Sequence, residues 1–161
     1  MSVEFSVAQA KLKQLVTEYS PLGELSNEAQ TRFSFVDRLL QECLGWPNDE
    51  IKVEVHEDGE RTDYECGNPR ALILEAKRSS SVFKIPPRSA RNPSRTRLDS
   101  LISYSEQTAE AIKQVLGYCQ NRGVELAALA NGHQLIIFLA TRTDGRSPLR
   151  EALIYSLPEA S

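Results

Sequence analysis

The chain has 161 residues, of which 40% are hydrophobic, and a formal net charge of −3. This length suits a single domain with an ordinary buried core. The sequence has no run of about 18 apolar residues, so no transmembrane helix is predicted. Glu4 precedes every basic residue, which is not the pattern of a signal peptide.

The first third of the chain is predicted to be helical. Residues 8–18 form a first helix, and a proline and a glycine within 20–25 end it. A second helix covers 26–46, with Ser26 or Asn27 as its N-cap. Its buried stripe, at helical spacing, consists of Phe33, Val36, Leu39, Leu40 and Cys43.

Three strands are predicted next. "EIKVEVH" at 50–56 alternates apolar and polar residues, "EDGE" signals a tight turn, and "RTDYEC" at 61–66 is the hairpin partner. "ALILEAK" at 71–77 is apolar almost to its end, which indicates a more central strand.

The remainder predicts a crossover back into the sheet. Residues 79–99 form a long loop, and a helix over 103–121 stops at Gly123. "VELAALAN" and "QLIIFLAT" are two strands joined at Asn131 and Gly132, and "EALIYSL" is a short last strand. The crossover helix favours a parallel pairing for the strand that follows it. The predicted fold is α/β, a mixed central sheet flanked by helices.

Basic charge is concentrated in one segment. Residues 77–97 contain seven basic side chains and no acid, whereas the rest of the chain has 12 basic against 22 acidic residues. Such a segment can bind a polyanion even in an acidic protein, although a solvated loop is the alternative.

The cysteines and histidines give no metal pattern. Cys43, Cys66 and Cys119 are odd in number and lack metal-type spacing, which fits a reducing cytoplasm, and all three are predicted to be buried. His56 and His133 are far apart, so no zinc site is predicted.

Polar residues converge where the third strand ends. Glu75 and Lys77 are two residues apart and so share one face of a strand, and Asp63 on the hairpin partner can face Glu75. Two carboxylates at one edge repel each other, and a divalent cation with oxygen ligands, Mg²⁺ or Mn²⁺, resolves that repulsion. Lys77 beside them would orient or activate a water on the metal.

Two further features are weak when taken alone. Glu28 opens the second helix, where an acid can simply complement the helix dipole. Gln114 and Tyr118 are four residues apart and share one face of a helix.

In this order along the chain, these features resemble the PD-(D/E)xK nuclease superfamily, and most closely the N-terminal nuclease domain of type I restriction enzyme motor subunits and related stand-alone nucleases. The resemblance covers residues 26–140 and is carried by "NEAQTRFSFVDRLLQECLGW", "RTDYEC", "ALILEAK", "QVLGYCQNRG" and "ELAALANGHQLIIF". It implies a restriction-endonuclease-like αβββαβ core. One departure is that Arg61 and Thr62, and no proline, precede Asp63.

The resemblance assigns roles residue by residue. The implied catalytic residues are Asp63, Glu75, Lys77, Glu28, Gln114 and Tyr118. The implied metal ligands are Asp63, Glu75, Glu28 and the backbone carbonyl of Ala76. The basic loop matches no family motif, but its side chains are expected to contact phosphates without reading bases. These DNA-binding residues are Arg78, Lys84, Arg88, Arg91, Arg95 and Arg97.

The expected function is that of a Mg²⁺- or Mn²⁺-dependent DNA endonuclease, the nuclease effector of a bacterial restriction or antiphage defence protein in the cytoplasm. Residues 1–25 are expected to form an N-terminal helix and linker and 26–157 the nuclease domain, with further domains in the same polypeptide. A homodimer or larger homo-oligomer is expected, and no membrane contact. The chain has no nucleotide-binding loop that could power translocation.

Two alternatives come from other classes of protein. One is a nucleic-acid-binding module without cleavage. The other is a structural domain in which Glu75 and Lys77 form a buried ion pair, although that leaves Asp63, Glu28 and the Gln114 face unexplained.

Overall fold

The computed structural model describes residues 4–23, 27–78, 80–87, 90–91 and 94–156. Within these ranges, four α-helices flank one mixed sheet of seven strands. The predicted α/β class with a mixed central sheet is therefore confirmed. No helix in the described ranges combines the length and apolar character that crossing a bilayer requires.

The order of the strands places the third strand next to the strand that follows the crossover. The strands are β1 (Ile51–Glu57), β2 (Glu60–Cys66), β3 (Leu72–Ala76), β4 (Arg95–Thr96), β5 (Leu126–Ala130), β6 (Gln134–Leu139) and β7 (Ala152–Ser156). Across the sheet they follow the order β1-β2-β3-β5-β6-β7-β4. The pairing of β3 with β5 is parallel, as the crossover predicts, and the other neighbours are antiparallel.

The helices form the two outer layers. They are α1 (Phe5–Gly23), α2 (Glu28–Thr31), which continues through the π-helical segments Arg32–Val36 and Leu39–Cys43, α3 (Leu98–Tyr104) and α4 (Glu106–Arg122). Asn27 caps α2, because its side-chain oxygen accepts the Gln30 N–H at 2.8 Å. The other predicted cap, Ser26, lies outside the described residues.

Each face of the sheet has its own apolar core. Leu72, Leu74 and Ala76 of β3 belong to a core with α1 and α2. Ile73, on the opposite face, belongs to a core with α3 and α4. Since strand residues alternate, Glu75 lies on the α4 side of the sheet.

Three local expectations differ from the structure. Helix α1 runs to Gly23 instead of ending at residue 18. Phe33 is 73% exposed and Phe35 is buried in its place, because the wider π-helical turn over Arg32–Val36 rotates the side chains away from α-helical spacing. The predicted single helix over 103–121 is two helices separated at Ser105.

The cysteines and the predicted loop complete the comparison. Cys43, Cys66 and Cys119 are free and buried, as expected. The predicted loop over 79–99 contains the short strand β4 and the start of α3. The strand β4 could not be predicted, because two residues are too few to show an alternation.

Candidate active site

Asp63 and Glu75 occupy facing positions on neighbouring strands. The antiparallel register pairs Tyr64 with Leu74, which makes Asp63 and Glu75 the next opposed residues. The Asp63 N–H donates to Oε1 of Glu75 at 3.1 Å, and the Ala76 N–H donates to Oδ2 of Asp63 at 2.9 Å. Each carboxylate therefore accepts a backbone N–H of the other strand. Both residues are only 4% exposed, and the structure brings these two predicted acids together.

The acid pair carries more negative charge than its surroundings balance. Burial raises the pKa of Glu75, and the neighbouring Asp63 carboxylate raises it further, to about 8. The Asp63 N–H and the charge of Lys77 act in the opposite direction and do not overcome this. At neutral pH the pair therefore keeps a proton. A bound divalent cation would release it, because metal ligands must be deprotonated.

Arg32 and Glu54 border the acid pair and were not predicted. Nη1 of Arg32 lies 3.2 Å from Oε1 of Glu54 and 4.0 Å from Oδ1 of Asp63. The guanidinium carbon of Arg32 lies 5.1 Å from the centre of the Tyr64 ring, a cation–π contact. Arg32 is four residues after Glu28, and this helical spacing is the only sequence signal that could have included it.

Glu54 interrupts the regular conformation of β1. Val53 pairs with Tyr64 and Val55 with Thr62, which leaves Glu54 opposite Asp63. Its φ is +50°, in the left-handed region that a residue with a side chain seldom adopts. Such conformations cost about 1–3 kcal/mol and cluster at functional sites. The bend places the Glu54 carboxylate against Arg32.

Glu28 does not join the acid pair. It is exposed at the start of α2, and its side chain makes no hydrogen bond or ion pair within the described ranges. The described residues also contain no group of three or more His, Cys, Asp or Glu side chains that could together hold a metal ion. The role of Glu28 as a metal ligand therefore stays a prediction.

Lys77, Gln114 and Tyr118 form a hydrogen-bonded chain. Nζ of Lys77 donates to Oε1 of Gln114 at 3.0 Å, and Nε2 of Gln114 donates to the Tyr118 hydroxyl at 3.0 Å. The backbone N–H of Lys77 donates to the carbonyl of Ala130 at 2.8 Å, which extends the pairing of β3 with β5 by one residue. The structure thus brings three of the predicted residues together on the α4 side of the strand end.

Two polar side chains after β5, Asn131 and Gln134, hold the loop that follows Lys77. Asn131 is fully buried, and its amide donates to the Ser81 carbonyl at 2.7 Å. Gln134 accepts the Phe83 N–H and donates to the Phe83 carbonyl, both at 2.8 Å. The predicted Asn131–Gly132 turn therefore also anchors residues 81–83 beside Lys77, a role that the sequence did not indicate.

The predicted DNA-binding residues do not form one patch. Arg78 and Lys84 are exposed close to the end of β3. Arg95 and Arg97 lie on or beside β4, four strands away, or about 19 Å at the usual strand spacing. Arg91, which lies between these two groups in the sequence, is exposed. The sixth predicted residue, Arg88, lies outside the described residues.

The acid pair has the chemistry of a Mg²⁺ or Mn²⁺ site. Its donors are oxygens of Asp63 and Glu75, and the Ala76 peptide lies against them through its N–H. Mg²⁺ is commonly held by one or two carboxylates and keeps several of its waters, so a third acid is not required. Burial and the neighbouring Asp63 carboxylate both raise the pKa of Glu75, and the charge of a bound divalent cation would oppose both effects.

Comparisons with protein-family models, with curated proteins and with solved structures find no match for this chain. Its function is therefore inferred from the geometry and chemistry of the site. Fold alone would be a poor guide in any case, because one architecture serves many functions.

Proposed function

We propose that this chain is a metal-dependent DNA endonuclease domain with a PD-(D/E)xK-type site on a restriction-endonuclease-like αβββαβ core. The order α2, β1, β2, β3, α4, β5 supports such a core. The observation that carries the proposal is the buried, facing pair of Asp63 and Glu75, with Lys77 two residues beyond Glu75. Two buried acids are costly to keep side by side, and binding a cation is a role that offsets this cost.

Asp63, Glu75 and the backbone carbonyl of Ala76 would hold the Mg²⁺ or Mn²⁺ ion. The bound ion would polarise the scissile phosphate and lower the pKa of a water molecule. Hydrogen bonds from the Asp63 and Ala76 N–H groups fix the orientation of both carboxylates in advance, so little rearrangement is needed when the ion binds.

Lys77 supplies the positive charge of the site. Its ammonium is aimed by Gln114, which is itself oriented by Tyr118 one helical turn further on. An ammonium held there stabilises the negative charge that develops on the phosphate oxygens, or orients the attacking water. Gln114 and Tyr118 are positioning residues in this scheme, because they act through Lys77.

The substrate we propose is DNA, contacted through its phosphates by Arg78 and Lys84 near the site. The setting proposed is a bacterial restriction or antiphage defence protein of the cytoplasm, with further domains in the same polypeptide. Concerted cleavage of both strands of a duplex uses two such centres, which a homodimer or larger homo-oligomer would supply.

The test is a cleavage assay on supercoiled plasmid, linear duplex and single-stranded DNA, with Mg²⁺, Mn²⁺ or EDTA. The parent chain should cut only with a divalent cation. Lys77→Ala and Asp63→Ala should lower the rate by about a hundredfold or more, the usual cost of removing one charge-stabilising or proton-transferring group. Thermal unfolding of each variant checks that the fold is kept.

Lys113→Ala is the matched control, since Lys113 is an exposed lysine next to Gln114 on α4. It should cut at the parental rate. The endonuclease proposal is wrong if Lys77→Ala and Asp63→Ala cut as well as the parent. Metal-independent binding of DNA without any cleavage would instead favour the binding module.

A further inference from the structure

A second candidate site lies at the opposite end of β5 from Lys77. It is a groove of about 460 Å³ between β4, β7 and the ends of β5 and β6. Leu126, at the start of β5, lines this groove, whereas Ala130, at the other end of the strand, contacts the backbone of Lys77. The four residue steps from Leu126 to Ala130 correspond to about 13 Å along the strand. The groove is therefore separate from the proposed metal site, and its volume is that of a small-molecule pocket.

The floor of the groove is an apolar surface of the sheet. Leu126 pairs with Leu139, and Ile137 pairs with Leu153, so the four side chains lie on one face of the sheet. Further along the same face, α1 and α2 cover the sheet, but they leave this end open. Leu153 is 49% exposed, although it stands inside the groove. A planar ring placed here would cover apolar surface that is now in contact with water.

The rim of the groove is formed by four arginines. Arg97 is paired with Asp99 at 2.7 Å, and Arg142 is paired with Asp144 at 2.5 Å and with Glu151. The other two, Arg95 on β4 and Arg150 just before β7, line the same groove. Neither of their side chains has an ion pair or hydrogen bond with any residue in the described ranges.

We propose that this groove binds a nucleoside phosphate, with the base on the apolar floor and the phosphate between Arg95 and Arg150. A guanidinium binds two oxygens at once, and a phosphate offers enough terminal oxygens for two guanidiniums, whereas a carboxylate does not. The four floor side chains are apolar and would contact the face of a base, which all bases share, while the polar residues Thr96 and Glu151 line the groove outside this floor, so different bases should bind with similar affinity. The ligand is a free nucleotide or the phosphorylated end of a nucleic-acid strand.

Calorimetric titration in EDTA tests the proposal without the metal site. The probes are adenosine monophosphate, thymidine monophosphate, adenosine and inorganic phosphate. The two nucleotides should bind with similar affinity, and adenosine and phosphate at least about tenfold more weakly, because each lacks one of the two contacts. A short oligonucleotide with and without a 5′-phosphate distinguishes the two sources of the ligand. If the phosphorylated oligonucleotide binds more tightly than the mononucleotide and than its own unphosphorylated form, the ligand is a strand end. If it binds more weakly than the mononucleotide, the ligand is a free nucleotide.

Matched variants locate the binding. Arg95→Ala and Arg150→Ala should each weaken nucleotide binding about tenfold or more, whereas Arg146→Ala, an exposed arginine outside the groove, should not. Leu153→Asp should abolish binding by placing a charge on the floor, whereas Leu149→Asp, at another exposed leucine nearby, should not. Failure of the nucleotides to bind, or equal losses in the control variants, overturns the proposal. Neither result affects the nuclease proposal, because the groove is separate from the proposed metal site. For the same reason, Lys77→Ala should bind nucleotide normally.

Discussion

Replacing Glu75 by glutamine should stabilise the metal-free protein at alkaline pH. Burial and the neighbouring Asp63 raise the pKa of Glu75 to about 8, so the folded chain holds a proton that the unfolded chain releases near pH 4.5. The side chain of glutamine resembles the protonated acid. Its oxygen can accept the Asp63 N–H, and its amide can donate to the Asp63 carboxylate. The variant should therefore keep the geometry of the pair and remove its titration.

The magnitude follows from the pKa difference between the two states. When the folded state binds more protons than the unfolded state, the free energy of unfolding falls as the pH rises, by about 1.4 kcal/mol per pH unit for one group. The full contribution of Glu75 is present below about pH 4.5 and is lost as the pH rises to about 8. Between pH 5 and pH 8 the parent should lose about 4 kcal/mol relative to Glu75→Gln, or about 2 kcal/mol if water enters as the pair ionises.

Urea unfolding in EDTA at pH 5, 6, 7 and 8 measures this difference directly, because other titrating groups affect both proteins equally. Glu110→Gln, at an exposed carboxylate of α4, is the matched control and should follow the parent. Mg²⁺ at about a hundred times its dissociation constant should restore about 2.7 kcal/mol to the parent at pH 8 and nothing to Glu75→Gln. If the parent and Glu75→Gln keep the same difference from pH 5 to pH 8, the two carboxylates do not form a dehydrated, coupled pair.

Three further substitutions test other parts of the structure by the same unfolding measurement. Arg122→Ala should cost about 2 kcal/mol or more, because it removes one of the two guanidiniums beside the buried Glu65 carboxylate, at 3.0 Å, and leaves that of Arg70 at 3.3 Å; a loss below about 1 kcal/mol would contradict this. Gly132→Ala should cost about 2–4 kcal/mol, because φ is +88° there and the added Cβ would lie 2.6 Å from the hydroxyl of Tyr19; an unchanged midpoint would show that the ring can move aside. Arg32→Met should lower stability by about 1–2 kcal/mol at pH 8 and less at pH 5, since it removes a cation that lies 4.0 Å from Asp63; equal losses at both pH values would assign Arg32 a packing role only.

Local periodicity explains why much of the fold, and two residue pairs of the candidate site, could be predicted. Alternation along β2 and β3, together with a tight turn between neighbouring strands, is enough to put Asp63 and Glu75 side by side. Spacing of four residues on a helix is likewise enough to join Gln114 and Tyr118. These relations depend only on backbone geometry that every strand or helix shares.

Other features depended on contacts between distant parts of the chain. The π-helical turn over Arg32–Val36 exposes Phe33 and buries Phe35, against the α-helical spacing on which the prediction was based. Glu54 reads as an ordinary outward residue of an alternating strand, and only its φ of +50° and its contact with Arg32 reveal that it borders the acids. No pattern in the sequence marks Glu54 for this place, and Arg32 is indicated only by its position four residues after Glu28.

The basic segment shows most clearly where the sequence stops being informative. Its composition alone determined that positive charge follows the third strand, and the strand pattern alone determined which face Glu75 occupies. The pairing of β4 with β7 then carries Arg95 to the far edge of the sheet, away from Arg78. Strand pairing joins residues that are more than fifty positions apart through backbone groups that are the same in every residue. For that reason the sequence determined the charge and the local alternation, and only the tertiary structure decided which charges share a site.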